Sequence, residues 1–429
     1  MSRVYTQVLT ARINNMSRII VIGGGAAGIM AAGVAAELGA SVSVFEKNKR
    51  IGRKLCITGK GRCNITNNCS VSTFIENVNT NPRFMYSAIN NFDCNDTIGF
   101  FEEMGLQVKT ERGNRVFPQS DKATDVVRAL ENFAKNNGAE IVSEAVVKKL
   151  IIEDGVVKGV VTDKGKESPA DAVIVATGGK SYPLTGSTGD GYIFAQQAGH
   201  KVVSPEPSLI PLVCCGKDLV DCKEMQGLSL RNVAVKLLKD NKAVYTDFGE
   251  MLFTHFGLSG PTILSASAHI KDIKQGVYSI SVDLKPALTP EKLNERILRD
   301  FDKYKNREIS NSLSDLLPSS MIPVVIRRWG IDSAARCNSI TKEQRMKLIE
   351  ILKDMRFVVS GLRPIDEAII TRGGVAVNEI DPATMESKIC KNLYFCGEVI
   401  DVDAYTGGFN LQIAFSTGRL AGTWAVYNS

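Results

Sequence analysis

The sequence predicts an α/β protein in which a doubly wound, mostly parallel sheet is split in the chain by an inserted domain. Three observations predict it. A short apolar run, a glycine cluster, an alanine-rich stretch and a second apolar run follow one another over residues 18–46. That style returns near the C-terminus, from Leu393 to Val426. Between them, residues 200–358 read first as alternating strands and then as helices. A Rossmann-like domain over 18–199 and 359–429, interrupted by 200–358, accounts for all three.

Residues 1–17 carry Arg3 and Arg12 without an apolar centre, so they are expected to be an extension rather than a signal peptide. Ile19–Ile22 reads as a strand broken by Gly23-Gly24-Gly25, Ala26–Leu38 as a helix closed by Gly39, and Val42–Phe45 as a second strand. A Gly- and Asn-rich loop is expected over Ile51–Asn68, too long for an idle connector. Helical patterns cover Pro82–Met104 and Lys122–Asn136. Val146–Ile152 and Val156–Thr162 read as strands joined by Asp154-Gly155, a hairpin signal, and Ala172–Ala176 as a buried strand. In the insert, 200–285 is expected to be β-rich, with a hairpin near Asp240-Asn241 and a helix starting at Ser259-Gly260-Pro261. Residues 290–355 read as helices, Leu393–Cys396 as a strand and Phe409–Val426 as a last helix.

Composition narrows the function. At 44% hydrophobic and 23% charged, the 429-residue chain is neither disordered nor a rod. The net charge of +6 comes without a basic run, so no nucleic acid is expected as partner. The ten Cys include no Cys-x-x-Cys pair and there are only three His, so no metal site is expected and a reducing cytoplasm fits. Residues 19–45 hold one charge, Glu37, and are long enough to span a bilayer. Their glycine spacing argues for a nucleotide turn instead, and no membrane segment is expected.

Gly23-x-Gly25-x-x-Gly28 is a dinucleotide fingerprint in the right context. Gly23 permits a tight turn, Gly25 lets backbone approach a pyrophosphate, and Gly28 allows close helix–strand packing. Helix N–H groups at Ala26 and Ala27 then face phosphate. Glu46, followed by Lys47, stands where a carboxylate grips the adenosine ribose and would repel a 2′-phosphate. FAD and NAD share this pattern. The C-terminal Gly397-Glu398, placed to bind a ribityl chain, and the helix opening at Gly408-Phe409-Asn410-Leu411, aimed at a flavin pyrimidine, favour FAD.

The chain resembles the BaiN/YhiN-type family of bacterial FAD-dependent oxidoreductases, which includes aminoacetone-oxidase-like flavoproteins. The resemblance runs from about Arg18 to the C-terminus. It rests on the run from Gly52 to Asn67, on Arg115-Val116-Phe117-Pro118, Ala176-Thr177-Gly178-Gly179 and Thr188-Gly189-Asp190-Gly191, on Phe253–Pro261, and on Gly397-Glu398 with Thr406–Gln412. It implies an FAD domain with an inserted domain. It places Gly59, Gly61, Arg62, Cys63 and Asn64 against the pyrophosphate and flavin, and Arg53 and Lys54 near the adenosine or phosphate end. Val146, Ala176, Thr177 and Gly178 complete the expected FAD set. With no second Gly-x-Gly-x-x-Gly, NAD(P)H is expected only as a transient donor.

Flavin chemistry asks the protein for a hydride path, a proton source and exclusion of water. His255 and Tyr405 are candidate proton donors, each also readable as a structural residue, and Arg372 is a candidate for binding a carbonyl or carboxylate. Cys63 reads better as a buried structural thiol than as a redox centre. The expected reaction is NAD(P)H-driven reduction of an activated C=C bond in a small molecule through flavin N5, by a monomer or weak homodimer. The alternatives are an O2-dependent amine or aminoketone oxidase releasing peroxide and, from another class, a flavin-dependent tRNA-modifying or redox-sensing protein.

Overall fold

The computed structural model describes residues 16–271, 273, 274 and 276–429. Most of the extension expected over 1–17 lies outside the described residues. The chain divides into two compact units, Met1–Pro207 with Ile369–Ser429, and Ser208–Ala368.

The first unit is built on a five-stranded parallel sheet. Its strand order is Leu393–Phe395, Ala172–Val175, Arg18–Ile22, Ser41–Glu46, Glu140–Ser143. The central strand reads as an uninterrupted apolar run because both faces are covered. Helix Ala26–Glu37 packs against the C-terminal helix Phe409–Tyr427. Their approach needs glycine: a Cβ at Gly418 or Gly422 would lie 2.4 Å from the Ala27 or Ala31 carbonyl oxygen. Smaller antiparallel sheets add Val147–Glu153, Val156–Thr162 and Glu167–Pro169, and separately Thr66–Asn67, Arg115–Pro118 and Val108–Glu111. Asp154 and Gly155 both take positive φ in the expected hairpin turn.

The second unit is a closed antiparallel barrel ordered Leu212–Cys214, Gly257–Ser259, Lys242–Thr254, Ser229–Lys239, Tyr278–Asp283, Met355–Leu362. Closure, through Leu212–Cys214 against Met355–Leu362, leaves no free sheet edge. Helices Pro290–Lys303, Ile322–Trp329 and Lys342–Lys353 share its core, where Trp329, Phe253 and Phe357 are fully buried.

Several local readings need correction. The division falls at 207/208 and 368/369 rather than at 200 and 358. Strand Val202–Ser208 pairs with Ile370–Val375 in the first unit's own two-stranded sheet, whereas Met355–Leu362 closes the barrel. The loop expected over 51–68 contains helix Arg53–Ile57. The helix expected over 82–104 breaks at Phe92-Asp93, because Asp93 caps a new helix, Cys94–Glu103, in a reciprocal capping box with Asp96. Among the described residues no helix is long and apolar enough to cross a membrane, and no group of His, Cys, Asp and Glu could hold a metal ion.

A candidate dinucleotide site in the first unit

A cavity opens at the C-terminal ends of the parallel strands, lined by the 23–25 turn, the start of helix Ala26–Glu37, Glu46, Lys54, Thr177, Glu398 and the first turn of helix Phe409–Tyr427. Strand ends beside a glycine turn are where an open α/β sheet leaves room for a ligand. Gly23, at φ +107°, turns so tightly that a Cβ would lie 2.6 Å from the Ala176 carbonyl oxygen. At Gly28 a Cβ would lie 2.0 Å from the Gly23 oxygen, so this residue seats the helix on its own turn rather than lining the cavity. Gly25 differs: a Cβ there meets nothing within 4 Å. Its bareness keeps the cavity open and does nothing for the fold.

Helix Ala26–Glu37 begins with no side-chain cap and no acid in its first turn. Its first N–H groups and positive dipole end are therefore left to attract an anion. Glu46, 7% exposed, accepts from the Gly24 N–H at 2.8 Å and from the Asn48 N–H and side-chain amide at 2.7 and 2.6 Å. All these donors are neutral, so its carboxylate keeps its charge for hydroxyl donors. Arg53 donates to Asn48 at 2.7 Å, and Lys47 is held by Asp190 at 2.7 Å.

Glu398 is arranged differently. It accepts from the Lys54 ammonium at 2.6 Å, the Ser181 hydroxyl at 3.1 Å and the Thr371 N–H at 2.8 Å, while Lys54 also donates to Ser181 at 2.7 Å. This separates two neighbours that were expected together. About 100° of helix rotation per residue sends Arg53 to the Glu46 end and Lys54 to the Glu398 end. Gly397, at φ +74°, brings the chain so close to the first helix that a Cβ would lie 2.8 Å from the Ala27 Cβ.

Of the other expected residues, Lys47, Val146, Ala176, Gly178, Asn410 and Leu411 line the cavity. Gly59, Gly61, Arg62, Cys63 and Asn64 are not among its lining residues. Arg62 reaches Glu111 and Asp121 and covers the Phe117 ring at 4.0 Å. Cys63 is fully buried, and burial pushes its thiol up to about 12. Gly408 backs onto Thr66, and the Phe409 ring is buried beside Phe74, so neither lines the cavity. Tyr405 lies half-buried in the turn that Asn410 holds, where the Asn410 side chain bonds the Ala404 N–H and carbonyl and the Tyr405 carbonyl. Arg372 pairs with Glu206 at 2.5 Å. His255 is exposed on a turn of the second unit, between Lys242–Thr254 and Gly257–Ser259. Asn48, Ser181 and Thr371 were missed; Asn48 bonds to Glu46 from two residues on, whereas Ser181 and Thr371 reach Glu398 from distant parts of the chain, where no spacing marks them.

The cavity suits a dinucleotide. It offers an uncapped helix start for phosphates and a carboxylate with neutral donors for ribose hydroxyls.

The chain is similar to known proteins along most of its length. The family described as HI0933-like protein Rossmann domain matches residues 17–424. The "3-dehydro-bile acid delta(4,6)-reductase" of Clostridium scindens is 31% identical over 95% of this chain and 98% of its own. The "Ribosomal RNA dihydrouridine synthase" of Haemophilus influenzae is 32% identical over 94% and 97%. In fold, 3-ketosteroid delta1-dehydrogenase from Sterolibacterium denitrificans matches with a TM-score of 0.52 over 97% of this chain and all of that one, at 12% identity. The chain belongs to the HI0933-like family of Rossmann flavoproteins, which are FAD-dependent oxidoreductases.

Proposed function

We propose that this enzyme uses NAD(P)H to reduce a C=C bond conjugated to a carbonyl in a small-molecule substrate, with FAD in the cavity of the first unit. The observation that carries the reaction is the full-length similarity to a reductase whose name specifies bile acid double bonds. In this reading the start of helix Ala26–Glu37 holds the pyrophosphate, Glu46 the adenosine ribose, and the Glu398–Lys54 end the ribityl chain. FAD held there would supply the two-electron hydride chemistry that such a reduction needs.

The chain's own residues have three tasks. Apolar wall residues such as Ile370, Leu411 and Ile413 keep water from the reacting face. The Lys54–Glu398–Ser181–Thr371 network fixes one carboxylate so that it meets the cofactor in a single orientation. Tyr405 is our choice for the proton delivered to the substrate α-carbon, because Asn410, a wall residue, anchors its backbone. Arg372 is already neutralised by Glu206, and the position of His255 gives it no advantage over Tyr405. We propose that it works in the cytoplasm, as a monomer or weak homodimer.

A second reading keeps the chemistry and changes the substrate. Two relatives, 32% and 28% identical over 94% and 93% of this chain, are named for making dihydrouridine in ribosomal RNA. Uracil C5=C6 is also conjugated to a carbonyl, so the same hydride and proton additions apply.

Anaerobic stopped-flow tests both readings. The yellow protein should bleach with NADH or NADPH and regain colour rapidly with enones, or instead with uridine-containing ribosomal RNA fragments. Slow reoxidation by either class, with peroxide formed from amines, overturns the reductase proposal.

A further inference from the structure

Cys69 and Cys94 are 25 positions apart in sequence, yet their sulfurs stand 4.0 Å apart. Cys94 is the first residue of helix Cys94–Glu103 and is buried, whereas Cys69, in the loop after strand Thr66–Asn67, is only half-buried. Their spacing is no Cys-x-x-Cys motif, which is why the sequence alone reveals no dithiol.

The surroundings of the two sulfurs differ in a useful way. The two sulfurs share one hydrogen bond in which either thiol can donate, and the Asn67 N–H lies against the Cys94 sulfur, while the Thr66 hydroxyl donates to the Gln412 side chain. Hydrogen bonding, chiefly with Cys69, holds Cys94 below the ordinary thiol range, against the opposing effects of its burial and of Asp93. The start of a helix favours a thiolate in the same sense. Cys69, hydrogen-bonded to Cys94 and partly desolvated, is pushed up. The pair therefore titrates as one unit, with an outer sulfur that a reagent can reach and an inner one behind it. A second pair, Cys214 and Cys222, also interacts, but both are buried (2% and 0% exposed) and Cys222 is pushed up by its contact with Cys214 and by burial. That pair has no outer sulfur for a reagent to reach.

We propose that Cys69 and Cys94 form a dithiol–disulfide site whose oxidant is a low-molecular-weight disulfide such as oxidised glutathione. Cys69 passes its proton to Cys94 as its sulfur attacks the reagent, forming a mixed disulfide and releasing one thiolate. That thiolate takes the proton back from Cys94. The Cys94 thiolate then attacks the Cys69 sulfur, the Cys69–Cys94 bond forms, and the second half of the reagent leaves as a thiolate. Two electrons pass from the protein to the reagent, which ends as two thiol equivalents. Rotation about the two Cα–Cβ bonds has to bring the sulfurs from 4.0 Å to about 2.05 Å.

The test treats the full-length, flavin-loaded protein with oxidised glutathione, blocks remaining thiols with N-ethylmaleimide and maps peptides by mass. The expected product is a Cys69–Cys94 cross-link, with Cys214 and Cys222 recovered as thiols. In Cys94→Ser the cross-link falls to background and glutathione stays attached to Cys69. In Cys69→Ser, Cys94 stays unmodified. A wild-type map in which Cys69 keeps glutathione, or remains a free thiol while other cysteines react, overturns the proposal without reference to either variant.

Discussion

The two ends of the cavity each carry a shielded carboxylate, and they are satisfied by opposite means. Glu46 accepts only from neutral groups, two backbone N–H donors and an amide. Glu398 is paired with the Lys54 ammonium and supported by Ser181 and Thr371. A carboxylate bonded by neutral donors keeps a net charge that a ligand hydroxyl can use. One paired to a cation is fixed in place and nearly neutral to its surroundings. The first end is built to grip and the second to hold a shape.

Four single variants and one double variant sharpen or break this comparison. The largest loss of stability is expected from Gly28→Val, which drives a side chain into the Gly23 carbonyl and should cost more than about 3 kcal/mol; soluble yield and circular dichroism report it. Lys54→Met strands Glu398 without its counter-ion. The pair keeps some solvent contact, with side chains 23% and 13% exposed, so the cost should be about 2 kcal/mol, below the range for fully buried pairs. Lys54→Met combined with Glu398→Gln should recover most of that loss in a thermal melt, and failure to recover would show that the charges are not coupled. Glu46→Gln keeps the shape but turns one accepting oxygen into an NH2 donor, so an accepted hydrogen bond is lost, for about 1 kcal/mol of stability and a roughly tenfold loss in FAD affinity. Gly25→Ala should leave the melting temperature almost unchanged, since its Cβ meets nothing, while weakening FAD by filling the open side of the turn. Equal losses of stability in Gly25→Ala and Gly28→Val would contradict the division of labour among the glycines.

Which parts were legible in the sequence follows from range. The glycine turn, the helix after it and Glu46 lie within a short stretch, and local spacing alone identified them. The Lys54–Glu398 pair spans 344 positions, so nothing in either neighbourhood announces it. Arg53 and Lys54 were read as one group because they are adjacent, whereas helix rotation sends them to opposite ends of the cavity. The Asp93 break was missed because apolar content carried the helical pattern through, although Asp93 and Asp96 carry capping-box spacing. Strand Glu140–Ser143 is half-exposed at the sheet edge and too short to show alternation, and Met355–Leu362 became a strand only through barrel closure.

The most direct test is a titration of flavin-stripped protein with FAD and with FMN, followed by fluorescence, in wild type and Glu46→Gln. FMN lacks the adenosine ribose and the pyrophosphate that Glu46 and the start of helix Ala26–Glu37 are held to bind. Two or more charge-assisted contacts should therefore favour FAD by about a hundredfold or more, with that preference falling about tenfold in Glu46→Gln. Equal affinity for the two flavins, or a preference untouched by Glu46→Gln, would contradict the account.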